Sequence, residues 1–240
     1  MKYSKLSVAT CLLLCSVLAL ADGPGTNQSA SASSPMSRQR TDLQALDVPA
    51  LTVTPIFHQL VAFTLPAGFK TVGGFAGPNF YSREHVPDSE SVKNWSRIIN
   101  VTGAKSVVSD PKATLVGFLA EFSNGFRKRC PNTFAVLDLG DHYVSGYNGH
   151  SAVISCGSVL VDGQSRSETA IVLAVSGVAD YYTFQWAEHG ESSPQPLRLE
   201  GEYWEKKLAQ LEPLRLCAIQ AGEVPPYPSC SKDGSRPLPE

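Results

Sequence analysis

The chain has none of the short signatures that mark the common enzyme classes. It contains no Gly-x-Ser-x-Gly elbow, no His-Glu-x-x-His, no Gly-rich phosphate loop and no Cys-x-x-Cys pair. The usual serine hydrolase, zinc protease, nucleotide and dithiol readings therefore lose their entry points. Charge is also sparse: 18% of residues are charged and the formal net charge is −2. A nucleic acid or anionic lipid surface needs a clustered positive field, and none is present. The single basic run, Arg127-Lys128-Arg129, fits the last turn of a helix. No apolar run reaches the roughly 20 residues that span a bilayer.

What is present begins with an export pattern. Lys2 and Lys5 precede an apolar stretch from Val8 to Leu20, and Ala19-Leu20-Ala21 supplies small residues before Asp22. This order reads as a cleavable secretory signal over residues 1–21, with no stable membrane insertion after cleavage. Its removal takes Lys2 and Lys5 from the 20 basic residues and leaves the 22 acidic ones, a net charge near −4. The expected address is periplasmic or secreted.

Residues 22–55 are rich in Ser, Ala, Gln and Pro and lack sustained apolar periodicity, so a flexible leader is expected there. Residues 218–240 carry Pro225-Pro226, Pro228, Pro237 and Pro239 and read as an extended tail. Residues 56–217 between them form one domain. Strands are expected over 58–65, 79–86, 95–101, 133–139, 151–161, 168–175 and 179–187. Ile171 to Val175 should be central, and Tyr182, Phe184 and Trp186 should leave one wetter face. A helix should open at Asp110-Pro111 and carry the stripe Leu115, Phe118, Leu119, Phe122 and Phe126; a second should run from Glu202 to Leu211. The sum is an α+β fold: a largely antiparallel β-sheet with helices packed on it, open to an α-β-α sandwich.

Four cysteines remain after cleavage: Cys130, Cys156, Cys217 and Cys230. An even number in an exported chain points to two structural disulfides. Of the three connectivities, Cys130 with Cys156 and Cys217 with Cys230 is favoured, the second clipping the Pro-rich tail.

Asp138 and Asp141-His142, followed by Gly149-His150, place two carboxylates and two imidazoles on what read as neighbouring loops. Asp141, His142 and His150 are the candidate metal ligands or acid-base groups, although their spacing matches no dedicated metal motif. His58, His85 and His189 read as solitary strand or loop surface residues. No cofactor and no catalytic set are assigned.

Leu65-Pro66-Ala67-Gly68-Phe69, then Asn79-Phe80-Tyr81, Glu84-His85-Val86-Pro87 and Glu90-Ser91-Val92-Lys93-Asn94-Trp95-Ser96 carry a resemblance. Together they resemble uncharacterised exported bacterial proteins that share a Pro-x-Gly-aromatic turn and a Glu-Ser-x-x-Asn-Trp-Ser segment. More loosely, a strand ending in Pro-x-Gly-Phe followed by strands and a helix is similar to the photosystem II extrinsic P-type proteins. That likeness implies an α-β-α sandwich serving as a binding or assembly module, with no catalytic residues to transfer. Trp95 itself is expected to anchor in the core.

Two functions are compatible with these observations. One is an exported, non-catalytic binding or accessory protein whose partner is an envelope or extracellular protein, peptide or glycan. The other is an envelope hydrolase, metal-dependent or not, that uses the Asp138 to His150 region.

Overall fold

A computed structural model describes residues 48–161 and 163–231. The signal-like residues 1–21, most of the leader and the Arg236 to Pro239 part of the tail lie outside these. The described chain runs β1 (Ala50–Ile56), β2 (Gln59–Leu65), β3 (Phe69–Ala76), β4 (Phe80–Pro87), β5 (Arg97–Ala104), α1 (Leu115–Arg129), β6 (Phe134–Val144), β7 (Tyr147–Val161), β8 (Gln164–Ser176), β9 (Tyr181–Glu191), α2 (Gly201–Ala209), β10 (Arg215–Ala218) and α3 (Pro228–Ser231). It is an α+β fold.

Seven strands form one antiparallel sheet in the order β3-β4-β5-β9-β8-β7-β6, and β1-β2-β10 form a second. Alternation along the strands divides the large sheet into two faces. Ala152, Ile154, Ala170, Val172 and Ala174 pack against Leu119 and Phe126 of α1. On the other face Val153, Ile171, Leu173, Phe184 and Trp186 meet Trp204 and Leu208 of α2 and Ile56, Val61, Phe63 and Leu216 of the small sheet. The large sheet is thus covered on both sides, by α1 on one and by α2 plus the small sheet on the other.

β9 has no wetter face. Thr183 and Gln185 are buried with the aromatic set. Thr183 exchanges a hydroxyl bond with Thr102 of β5 at 2.6 Å, and Tyr181 meets Phe118 of α1 edge-on. Thr183 is satisfied by Thr102, a neighbour that alternation alone does not reveal, whereas Gln185 Oε1 is buried with no hydrogen-bond partner among the described residues.

α1 starts later than the Asp110-Pro111 signal implies. Thr114 is the N-cap, its hydroxyl accepting from the Gly117 amide at 3.0 Å. Asp110 instead accepts from the Lys112 amide at 2.9 Å, while the Tyr181 hydroxyl donates to the Ala113 carbonyl at 2.9 Å. That bond fixes a turn ahead of the helix.

Residues 50–55, read as leader, belong to β1. This strand is an edge, so Pro55 breaks no ladder there. The tail is more ordered than its prolines suggest. Cys217 and Cys230 are bonded, and Cys230, on the turn α3, packs on Leu60 and Ala62 at the back of the small sheet. Cys130, at the end of α1, is bonded to Cys156 of β7.

Candidate functional site

The segment between β4 and β5 builds a cleft. Ser91 and Asn94 bridge to each other through backbone bonds of 3.2 and 3.0 Å, which closes a tight loop. The Glu90 carboxylate then accepts from the Ser96 amide and the Ser96 hydroxyl, both at 2.6 Å. Held at both ends, the loop presents Trp95 half-buried beside β9. The indole stacks on the His189 imidazole with ring centres 3.6 Å apart and planes 17° from parallel. Trp95 packs against the core cluster on the α1 side of the large sheet, as expected from its type, and its half-exposed part walls a surface cleft.

His189 is locked in turn. Its Nδ1 donates to the Trp95 carbonyl at 3.0 Å, since a carbonyl only accepts. Its Nε2 lies 3.7 Å from Glu168 Oε2, and the same oxygen accepts from Arg129 Nη2 at 3.1 Å. Burial pushes the Glu168 carboxyl up, but the nearby His189 ring and the Arg129 guanidinium outweigh it and hold the group below the ordinary carboxylate range. The path Arg129, Glu168, His189, Trp95 runs from the end of α1 across β8 and β9 to the loop. The platform rests on the fold through charge-assisted contacts.

The cleft measures about 430 Å³ and is lined by Glu90, Asn94, Trp95, Arg166, His189 and Glu191 among others. Arg166 reaches across its floor, donating to Gln164 Oε1 at 2.6 Å and to Asn94 Oδ1 at 3.4 Å. Ser165, which lines the cleft, belongs to a triangle of hydroxyls with Ser158 and Ser192, with edges of 2.7, 2.8 and 2.9 Å. Planar amide, guanidinium and carboxylate groups thus converge beside one large aromatic ring. Such a surface suits a ligand rich in hydroxyls with an apolar face.

The sequence-derived candidates fall elsewhere. Asp138, Asp141, His142 and His150 lie on strands β6 and β7, not on loops, and those strands meet at Ser145-Gly146 with φ of 52° and 83°. Positive φ at both central residues is what a two-residue hairpin turn requires. Asp141 and His150 pair across the hairpin at 2.7 Å, Nδ1 to Oδ1. The bulge at Gly140 (φ 87°) swings Asp138 onto the same face, where it meets His150 Nε2 at 2.9 Å. One imidazole ring thus separates two exposed carboxylates, so the three cannot converge on one ion. Among the described residues no group of three or more His, Cys, Asp or Glu side chains is placed to hold a metal.

His142 points to the opposite face, where its Nε2 lies 2.7 Å from Ser151 Oγ. That pairing has the reach of a nucleophile and base, but Ser151 is fully buried and a substrate cannot meet its hydroxyl.

The remaining histidines are not solitary. His58 is paired at 2.8 Å with the buried Asp180, and His85 is itself buried in β4 beside Thr71. Sequence reasoning singled out the Asn94-Trp95-Ser96 segment as a pattern and passed over His189, Glu168 and Arg166 as site residues. Trp95 and His189 stand 94 positions apart, and no local periodicity encodes their stack.

No family model matches the chain, and no curated protein does. Solved structures to which it is similar include CyanoP, the cyanobacterial PsbP protein of Synechocystis sp. PCC 6803, with a TM-score of 0.44 and 9% identity over 73% of this chain and 95% of that one. LpqN of Mycobacterium tuberculosis, described as involved in cell envelope biogenesis, follows with a TM-score of 0.33 and 12% identity over 70% and 91%. A protein of unknown function from Pseudomonas aeruginosa has a TM-score of 0.29 and 10% identity over 57% and 82%.

Proposed function

We propose that the chain is an exported, non-catalytic binding protein that holds a saccharide in the Trp95 cleft. The observation that carries this reading is the Trp95–His189 stack set among Asn94, Gln164, Arg166, Glu90 and Glu191. A pyranose ring offers an apolar C–H face for the indole and hydroxyls for planar amide, guanidinium and carboxylate groups. Both oxygens of Glu90 already accept from Ser96, and His189 Nδ1 donates to the Trp95 carbonyl, while its Nε2 is buried with no hydrogen-bond partner among the described residues. These groups hold the platform in place; they are not poised to move protons.

Export is supported by the signal pattern of residues 1–21 and by two disulfides, which persist in oxidising compartments. The mass of the chain recovered from the periplasm or medium of an expressing bacterium should correspond to a start at Asp22.

The test of binding is a titration with oligosaccharides of glucose and of N-acetylglucosamine, watched through the indole N–H signals of the three tryptophans by NMR. The Trp95 signal should shift and saturate while those of buried Trp186 and Trp204 stay still, and Trp95→Ala should abolish binding. A Trp95 response to short peptides and not to sugars would overturn the saccharide assignment. Silence toward both would overturn the cleft as a binding site.

A further inference from the structure

The Trp95 cleft carries charge of both signs, and the placement of those charges narrows the choice of sugar. Arg166 of β8 and Glu191 of β9 stand directly opposite each other in the antiparallel register, so their side chains leave the same face of the sheet, and both line the cleft. Glu168 and His189 are the next opposed pair on that face, one strand repeat away, roughly 7 Å. Trp95 is stacked on that His189 ring. The indole and the Arg166–Glu191 pair therefore border the cleft side by side, set apart as a sugar ring is from the end of a substituent on it.

Arg166 and Glu191 do not neutralise each other. Among the described residues Arg166 donates only to side-chain amide oxygens, to Gln164 Oε1 at 2.6 Å and Asn94 Oδ1 at 3.4 Å, and Glu191 has no hydrogen-bond or ion-pair partner. The longer bond is a weak one, and most of the guanidinium N–H groups are left for an occupant. The third charged group of the lining, Glu90, is already bonded to Ser96 through both oxygens. An open guanidinium beside an open carboxylate selects against a charged occupant. A carboxylate would pair with Arg166 but face Glu191 and Glu90, and an ammonium would pair with Glu191 but face Arg166. A neutral secondary amide carries an acceptor oxygen and a donor N–H on opposite sides of one planar group, so it can serve both residues at once.

We infer that the saccharide of the Trp95 cleft is a 2-acetamido sugar. Its pyranose ring lies on the indole, its acetamido oxygen accepts from Arg166, and its acetamido N–H donates to Glu191. The ligand oxygen is then one more amide oxygen of the kind that Arg166 already holds twice. The inference rests on the saccharide reading of this cleft and adds the group that selects among sugars.

The test uses three trisaccharides that differ only at the 2-position: triacetylchitotriose with acetamido groups, cellotriose with hydroxyls and chitotriose with ammonium groups. Each is titrated into the full exported chain and followed by calorimetry and by the Trp95 indole N–H signal. Triacetylchitotriose should bind at least about tenfold tighter than either of the others. Arg166→Ala and Glu191→Ala should each weaken triacetylchitotriose at least about tenfold more than they weaken cellotriose, with the Trp186 and Trp204 signals in place to show that the fold is intact. Cellotriose bound as tightly as triacetylchitotriose overturns the acetamido inference and leaves the saccharide reading standing. Tighter binding of chitotriose overturns it too, by placing an ammonium on Glu191. Equal weakening of all the sugars by Arg166→Ala and Glu191→Ala would mean that the two residues only support the platform, and would overturn the selection assigned to them. Silence of Trp95 toward all three overturns the saccharide reading and this inference together.

Discussion

Asp180 is among the most heavily used side chains of the described residues. It is fully buried at the start of β9, and its Oδ1 accepts from the Ser106 amide at 2.8 Å. Its Oδ2 accepts from the His58 amide at 3.1 Å, the His58 ring at 2.8 Å and the Tyr182 hydroxyl at 3.0 Å. Burial pushes this carboxyl up, but the donors around it prevail and leave it below its ordinary range. Burial and the Asp180 charge together drive the Tyr182 phenol far above its ordinary value, so it remains a donor. One carboxylate therefore ties the β1–β2 turn, the segment after β5 and β9 together. Asp180→Asn keeps the shape but turns one oxygen into an N–H₂ set against the backbone amide of Ser106 or of His58, and each of those can only donate. It should cost about 3 kcal/mol, which for a domain of this size lowers the melting temperature by roughly 10 °C near pH 7. A melting temperature within about 2 °C of the native one would show that the four donors find other partners.

At the scale of elements, α1 and α2 are fixed by different means. α2 is held by Glu188 of β9, whose Oε1 accepts from Trp186 Nε1 at 2.9 Å and Lys207 Nζ at 3.0 Å, and whose Oε2 accepts from the Tyr203 hydroxyl at 2.8 Å. α1 depends on its cap, its stripe and its disulfide. Thr114→Ala should destabilise the protein by about 1 kcal/mol in urea titration, and Asp110→Ala by clearly less, because only Thr114 satisfies a helix amide. The reverse order would return the helix start to Asp110. The sequence signal there was genuine turn chemistry placed one turn too early, and the stripe from Leu115 to Phe126 was legible because it is strictly local. The strands β1, β3 and β10 were not legible. β1 carries Pro55, β3 is broken by the adjacent Gly73 and Gly74 with a register shift after Thr71, and β10 has four residues. All three are marginal as isolated strands and are specified by the neighbours they pair with. The candidate site was half legible for the same reason. Glu90 to Ser96 closes on itself, whereas His189, Glu168 and Arg166 arrive from other strands.

Across the whole molecule, buried titratable groups set how the fold responds to acid, and they do so in two stages of common direction. His85 has its folded value lowered to about 4, so below the unfolded value of 6.5 the unfolded chain binds a proton that the native state refuses. Stability should fall as pH drops from about 6.5 to 4, by roughly 3 kcal/mol in all. Glu168, Asp180 and Glu188 are held below their ordinary values of 4.5, 3.8 and 4.5. Their contribution is complete above those values and is lost as pH falls through the lower folded ones, which steepens the decline below about pH 4.5. Lys207 has the opposite sense. Burial lowers it, but Glu188 and Tyr203 outweigh burial and raise it above 10.5, so its contribution is full below that value and is lost only as pH climbs past the raised one. Urea midpoints measured from pH 8 to pH 3 should therefore be flat down to about 6.5, decline gently, then decline steeply. A profile flat down to pH 4.5 would mean that His85 is not buried neutral in solution.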